Sequence, residues 1–357
     1  MHNETLRPES TPAGFADFKP TIVSTTQQHA DGTLVDKYGR RITYVRLSIT
    51  DRCDFRCTYC MAEEMTFVPH HEVMSLEECL RVVTVFAGLG VTKLRITGGE
   101  PLVRKNAMWL IERLGALPGI DNLVLTSNGS QLDRFARPLH AAGVKRINIS
   151  LDTLQAERFK KITRIGDLRK VMRGIEATRA AGFTRTKLNT VMMRGTNDDE
   201  FSDLVQFAVD NELDISFIEE MPLGDIHGRN TSYISSEETR DVLAKRFELL
   251  PSTENSGGPA RYWRIPGSES RIGFISPHSH NFCDTCNRVR ITAKGELYPC
   301  LGQNDAINLL QVLHAHSSDD ALRQAIMDSM GIKPYGHDFT KQMDEPQVVR
   351  FMSMTGG

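Results

Sequence analysis

Six of the seven cysteines in this 357-residue sequence fall into two triplets, and those triplets carry its chemistry. The first, Cys53-Asp54-Phe55-Arg56-Cys57-Thr58-Tyr59-Cys60, sets thiols at CxxxCxxC spacing directly after the apolar run Val45 to Thr50. Three thiolates hold three corners of a four-iron, four-sulfur cube and leave one iron without a protein ligand. Half of a zinc site is the competing reading, although zinc motifs usually pair their cysteines as CxxC. In the second triplet Cys283 and Cys286 form a CxxC, and Cys300 follows one hairpin later. Taken alone, it fits either a Cys3His zinc knuckle using His278 or His280, or another cluster whose open iron is left to substrate. Arg288 and Arg290 alternate on one strand face beside it, and guanidinium forks suit phosphate oxygens and purine edges. Thr97-Gly98-Gly99-Glu100-Pro101 reads as a turn that lets backbone approach a ligand, with a carboxylate able to accept from an ammonium. Thr126-Ser127-Asn128-Gly129 and Asn148-Ile149-Ser150-Leu151-Asp152 add small polar groups at strand ends.

Such groups need a scaffold, and the hydrophobic pattern predicts one. From Arg41 onward, short apolar or β-branched runs recur with amphipathic segments between them. The expected strands are Tyr44 to Thr50, Thr92 to Thr97, Asn122 to Ser127, Val144 to Leu151, Thr186 to Met192 and Asp214 to Met221. Ser75-Leu76-Glu77-Glu78 has capping-box spacing for a helix reaching about Leu89, with Cys79 in its core face. Asn197-Asp198-Asp199-Glu200 opens another helix, to about Asn211. Strands alternating with helices imply a parallel sheet, and six units imply an incomplete (βα)6 TIM-like barrel with functional groups at the C-terminal strand ends. Beyond Met221 the pattern predicts a helix near Ser236 to Phe247 and a flexible connector from Ser252 to Pro259. Short strands follow at Tyr262 to Ile265 and Arg271 to Ile275. The expected division is a loosely ordered extension over 1–35, the barrel over 36–224, and a C-terminal cluster region over 225–357.

Bulk composition narrows the function classes. Lys+Arg 43 against Asp+Glu 45 gives a net charge of −2, so no global field recruits nucleic acid or an anionic membrane. Any phosphate must be met locally. No apolar run is long enough to span a bilayer, and the N-terminal stretch lacks a basic start and an apolar h-region. Clustered cysteines suit metal ligation in a reducing compartment better than disulfides, so a cytoplasmic location is expected.

Leu47-Ser48-Ile49-Thr50-Asp51-Arg52-Cys53 and Arg95-Ile96-Thr97-Gly98-Gly99-Glu100-Pro101 resemble motifs found across radical S-adenosylmethionine (SAM) enzymes. Phe282-Cys283-Asp284-Thr285-Cys286-Asn287-Arg288-Val289-Arg290 and the terminal Gly356-Gly357 are more specific. With them the sequence, from about Asp36 to Gly357, resembles the GTP 3′,8-cyclases, molybdenum cofactor biosynthesis protein A. The resemblance implies two four-iron clusters, with Cys53, Cys57 and Cys60 holding the one that binds SAM. Cys283, Cys286 and Cys300 would hold an auxiliary cluster that meets the guanine base. It maps SAM contacts onto Tyr59, Gly99, Ser150 and Met221, and GTP contacts onto Arg46, Arg95, Thr126, Lys187, Arg288, Val289 and Arg290. It also brings Gly356 and Gly357 into the active site.

The implied reaction is reductive SAM cleavage to a 5′-deoxyadenosyl radical, hydrogen removal from C3′ of GTP, and attack of that carbon on guanine C8. The product would be (8S)-3′,8-cyclo-7,8-dihydroguanosine 5′-triphosphate. Implied partners are an electron donor such as flavodoxin or ferredoxin and a downstream cyclic pyranopterin monophosphate synthase, with a homodimer as one option. Two positions depart from the family's pattern: Ser216 stands where arginine is expected, and Asp54 where asparagine is commoner. The competing classes are another auxiliary-cluster radical SAM enzyme, such as a peptide-modifying one, and a non-catalytic zinc-bearing nucleotide-binding protein. The two triplets predict about eight irons per chain after anaerobic reconstitution. Stoichiometric zinc with only about four irons would reject the second cluster.

Overall fold

The computed structural model of the chain describes residues 32–224, 232–337, 339 and 348–356. Most of the expected N-terminal extension, 1–31, and Gly357 of the expected tail lie outside the described residues. The N-terminal half alternates β1 (Tyr44–Ser48), α1 (Leu76–Gly88), β2 (Lys93–Thr97), α2 (Ala107–Gly115), β3 (Asn122–Ser127) and α3 (Leu132–Ala141). It continues through β4 (Arg146–Ser150), α4 (Ala156–Thr163), α5 (Leu168–Ala180), β5 (Lys187–Met192), α6 (Phe201–Asp210) and β6 (Asp214–Glu219). Then come α7 (Ser236–Ala244), β7 (Leu250–Ser252), β8 (Arg261–Arg264), β9 (Arg271–Ile275), β10 (Arg288–Ile291), β11 (Glu296–Tyr298) and β12 (Ile307–Asn308). The last elements are α8 (Leu309–Ala315), α9 (Asp319–Ile332) and α10 (Met352–Thr355). No described helix is long and apolar enough to cross a membrane.

Strands β1 to β6 pair in sequence order, each parallel to the next, as the alternating pattern predicts. The sheet does not end there. β9 adds in parallel to β6, and β10 adds in parallel to β1. The partial barrel is therefore flanked at both open edges by strands from the C-terminal part of the chain, with antiparallel strands continuing outward on each side. Residues after 224 continue the same sheet.

Period-two alternation divides the sheet into two faces. Val45, Leu47, Leu94, Ile96, Leu123, Leu125, Ile147, Ile149, Leu188, Ile215, Phe217, Ile272 and Phe274 join the helices in one apolar core. The intervening positions, among them Arg46, Arg95, Arg146, Lys187 and Ser216, turn to the opposite, concave face. Helix starts follow local signals. Ser75 and Ser235 both make complete capping boxes, with Glu78 and Glu238. The start expected at Asn197 moves to Phe201, because Asn197 is used otherwise: its side chain accepts from Met193 N and donates to the carbonyls of Asp152 and Val191. The expected flexible connector is held in place, since Lys93 Nζ donates to Ser256 O at 2.6 Å and to Gly257 O at 3.2 Å.

Topology sets the two triplets apart. The first follows β1 at the C-terminal ends of the parallel strands. Between β9 and β10 the chain must cross the barrel's opening and return to the N-terminal ends, and Cys283 and Cys286 lie on that crossing. Asn287 O accepts from Thr43 and Tyr44 N there, at the foot of β1. Cys300 follows β11, which runs antiparallel to β10, and so arrives at the same end. The edge that launches this crossing is fastened by a buried ion pair: Arg271 N and Nε donate to Asp214 Oδ1 at 3.0 and 3.1 Å. Replacing Asp214 by alanine leaves Arg271 with Glu254 alone, whose Oε2 lies 3.0 Å from the guanidinium, and is expected to destabilise the chain by about 2 kcal/mol. Urea unfolding of the cluster-free protein measures this, and an unchanged midpoint at unchanged slope would show that the pair does not hold the edge.

Candidate active site

At the C-terminal end of the barrel, the first cysteine loop is gripped from three sides. Gly99 N donates to Thr50 O at 2.7 Å, and Glu100 N donates to Arg52 O at 2.8 Å. A Cβ at Gly98 would come within 2.6 Å of Thr50 O, and one at Gly99 would collide with the Arg52 carbonyl. These glycines therefore admit the backbone that enters the cysteine loop, a use beside the ligand approach expected of them. Arg56 N and Thr58 N donate to the carbonyls of Thr163 and Ile162 at the end of α4. The Arg164 guanidinium donates to Arg56 O and Met61 O. Tyr59 Oη donates to Asp152 Oδ2 at 2.7 Å, tying the loop's aromatic to the end of β4.

The carboxylates here organise the loops. Glu100, fully buried, accepts from Ser127 Oγ, Asn128 N and Leu102 N, and burial pushes its carboxyl up to about 8. It is thus fastened to the β3 end. Asp54 accepts from Asn128 Nδ2 at 2.7 Å and Ser130 Oγ at 2.6 Å, and the same Asn128 amide lies 3.7 Å from Cys53 Sγ. The carboxylate at this unusual position fixes the loop after β3. Burial raises the Cys53 and Cys57 thiols well above their ordinary value, with Cys60 adding repulsion to both. Iron would supply the positive charge that three crowded thiolates lack, so the donor set fits a cluster.

In the lumen below, cations crowd together. Arg290, Arg46 and Arg95 occupy partnered positions on β10, β1 and β2, while Arg288 and Lys93 flank Tyr44 one step lower. Arg95 donates to Tyr44 Oη at 2.6 Å and Thr126 Oγ1 at 2.9 Å, and Lys187 donates to Tyr262 Oη at 3.3 Å. Burial would raise the Tyr44 phenol, yet Arg95, Arg46 and Lys93 pull it well below its ordinary value. Burial pushes Lys93 down to about 7, with repulsion from Arg95, Arg146 and Lys187, and it lowers Lys187 and Arg290 in the same way. Arg146 Nε, Asn148 Oδ1 and Ser216 Oγ are buried without a hydrogen-bond partner among the described residues, which fits a wall built for a polar ligand.

The C-terminal tail spans this lumen's mouth. Gly224 N donates to Val348 O at 2.9 Å, on the β6 side. On the far side, Gly356 O accepts from Arg290 at 2.7 Å and from Arg46 at 3.2 Å. Gly356 has φ 75, and a Cβ there would overlap the Thr97 side chain.

At the opposite end, a Cβ at Gly336 would come within 3.3 Å of Cys283 Sγ. Burial raises the Cys283 and Cys300 thiols. Cys286 differs: burial raises it too, but Arg288 and Lys333 outweigh burial and bring it down to about 7. The zinc alternative finds no support in the histidines. His278 Nε2 bonds to Glu220 O, and His280 is exposed.

Residues 47–208 match the Radical SAM superfamily, and residues 213–339 match the Molybdenum Cofactor Synthesis C family. A GTP 3′,8-cyclase of Pseudomonas entomophila is 58% identical over 91% of this chain and 98% of its own. One from Saccharophagus degradans is 54% identical over 92% of this chain and 99% of its own. The chain belongs to the GTP 3′,8-cyclase family. Among solved structures, Streptococcus suis SuiB bound to S-adenosylmethionine superposes with a TM-score of 0.54 at 15% identity, covering 89% of this chain and 79% of that one, a likeness of fold.

Against that family, the expected residues distribute clearly. Tyr59, Gly99, Ser150 and Met221 all sit at or just beyond C-terminal strand ends, with the first triplet. Arg46, Arg95, Thr126, Lys187, Arg288 and Arg290 share the lumen face. Val289 does not: its side chain is 1% exposed within the apolar core, so only its main chain is left to meet a nucleotide. Ser216, in the arginine position, abuts Gly273 of β9 and contributes a hydroxyl in place of a charge. Lys93, Arg146, Tyr44 and Tyr262 were missed, although the polar alternation of Lys93-Leu94-Arg95 and Arg146-Ile147-Asn148 was a signal of an inward polar face. Gly356→Ala is expected to displace the tail from Arg46 and Arg290, giving at least a tenfold fall in product formation at wild-type iron content, roughly 1.4 kcal/mol in the barrier. Wild-type turnover of that variant would return the tail to a merely frayed end.

Proposed function

We propose that this chain converts GTP to (8S)-3′,8-cyclo-7,8-dihydroguanosine 5′-triphosphate in the first step of molybdenum cofactor biosynthesis. The observation that carries the reading is one lumen dense in buried cations, lying between two cysteine triplets at opposite ends of the same barrel. A net charge of −2 makes that concentration local, and a triphosphate is the ligand chemistry such a field selects. When bound, the clusters and SAM supply the 5′-deoxyadenosyl radical and an open iron for the guanine base.

The chain's own residues do the positioning. Cys53, Cys57 and Cys60 would hold the first cluster, with Tyr59, Gly99, Ser150 and Met221 around SAM. Cys283, Cys286 and Cys300 would hold the second. Arg46, Arg95, Lys187, Arg288 and Arg290 would bind GTP through phosphate and base oxygens, with Thr126 orienting Arg95 and the nucleotide. The Gly356 carbonyl orders Arg46 and Arg290, and the tail residues that carry it help exclude water from the lumen. An electron donor of the flavodoxin or ferredoxin class and a cyclic pyranopterin monophosphate synthase acting on the product complete the reading.

The test is anaerobic incubation of the reconstituted chain with SAM, GTP and dithionite, with products identified by mass spectrometry. Cys57→Ala should lose both SAM cleavage and cyclised nucleotide. Cys283→Ala should keep uncoupled SAM cleavage and lose the cyclised nucleotide. Product at the wild-type rate from the Cys283 variant would remove the second triplet from the mechanism.

A further inference from the structure

Lys333, just after α9, is 1% exposed and among the largest fully buried side chains of the chain. Its Nζ donates to Pro299 O at 2.6 Å and to Arg288 O at 3.0 Å, and lies 3.6 Å from Cys286 Sγ. Pro299 immediately precedes Cys300, and Arg288 lies two residues beyond Cys286. One ammonium thus bridges both segments that bring these cysteines together.

The neighbouring cation is a useful contrast. Arg40 also grips this region, donating to the carbonyls of Cys283, Pro334 and Tyr335, but its charge is met by Asp36 Oδ2 at 2.6 Å. Lys333 has no carboxylate within ion-pair distance among the described residues. A buried ammonium is strongly unfavourable unless an anion offsets it. The anionic group within its reach is the Cys286 sulfur and whatever that sulfur ligates. One-electron reduction makes a thiolate-bound cluster more negative, so a fixed adjacent cation favours the reduced form.

We infer that Lys333 is a positioning residue for the second cluster: it fastens the Cys286 and Cys300 segments and supplies the counter-charge that raises that cluster's reduction potential. The inference rests on the reading of Cys283, Cys286 and Cys300 as cluster ligands. It assigns Lys333 to electrostatics at the cluster, apart from the lumen cations that face the nucleotide.

Lys333→Gln and Lys333→Arg, made in the full chain and reconstituted anaerobically, test it by redox titration followed by electron paramagnetic resonance. The Gln variant should lower the reduction equilibrium of the second cluster about tenfold, about 59 mV for a one-electron couple, with the first cluster unchanged. The Arg variant should restore the wild-type value. An unchanged second potential in a Gln variant that carries both clusters overturns the inference. Should the Gln variant not take up the second cluster, alkylation of Cys286 by iodoacetamide is compared in the cluster-free chains. Severalfold slower alkylation than wild type, recovered with Arg, supports the counter-charge, and equal rates overturn it. A wild-type chain that binds only about four irons would instead overturn the ligand reading itself, and the inference with it.

Discussion

Like charges held close together on the concave face of an open, curved sheet are the constraint on which the rest of this structure depends. Two unit charges about 4 Å apart repel by about 4 kcal/mol at an effective dielectric near 20, and this lumen gathers Arg46, Lys93, Arg95, Arg146, Lys187, Arg288 and Arg290. The described partners that relieve them are mostly neutral dipoles. Tyr44 takes Arg95, Tyr262 takes Lys187, main-chain carbonyls of Ser256 and Gly257 take Lys93, and the Gly356 carbonyl takes Arg46 and Arg290. Asp214, the carboxylate felt by Arg146, is already occupied by Arg271. The site is therefore left short of negative charge, and the surrounding apolar core holds the walls that keep the cations together.

That arrangement works because each strand carries two unrelated surfaces. Leu94 and Ile96 anchor β2 to the helices while Lys93 and Arg95 project into the lumen, and β10 repeats the device with Val289 and Ile291 outside and Arg288 and Arg290 inside. Folding free energy comes from the outer face. The inner face is then available for a ligand whose binding relieves the repulsion. Lengths of chain after 224 close this arrangement: β9 and β10 extend the arc at both edges, and the tail bridges its mouth.

The cysteine loops sit at the two ends of the lumen and are held by different physics. Around the first triplet, backbone contacts dominate, with Gly98 and Gly99 allowing the loop to lie against the β2 turn and Asp152 steadying Tyr59. Burial and nearby carboxylates disfavour thiolates there until a metal supplies charge. Around the second triplet, Arg288 and Lys333 already favour the Cys286 thiolate. Two clusters of the same composition would thus experience opposite local fields.

Much of this was legible in the sequence, because local rules govern it. Strand and helix order followed from hydrophobic period, the α1 start from the Ser75 capping box, and the proposal of cluster ligands from cysteine spacing, each a property of neighbouring residues. Other features were decided only in three dimensions. Nothing local says that Arg271–Ile275 and Arg288–Ile291 become opposite edges of one parallel arc, since that depends on which strand edges remain open once β1 to β6 have paired. Glu100 reads locally as a ligand carboxylate, and only the fold brings the distant Ser127 and Asn128 to it as donors. Val289 lies between two lumen arginines and still belongs to the core, because the pleat reverses its direction. Lys333 follows a helix like any solvated lysine, and only the packing of α9 against the second cysteine segment leaves its charge buried beside sulfur. Spacing along the chain can nominate chemical groups, whereas burial and the pairing of remote charges depend on tertiary contact.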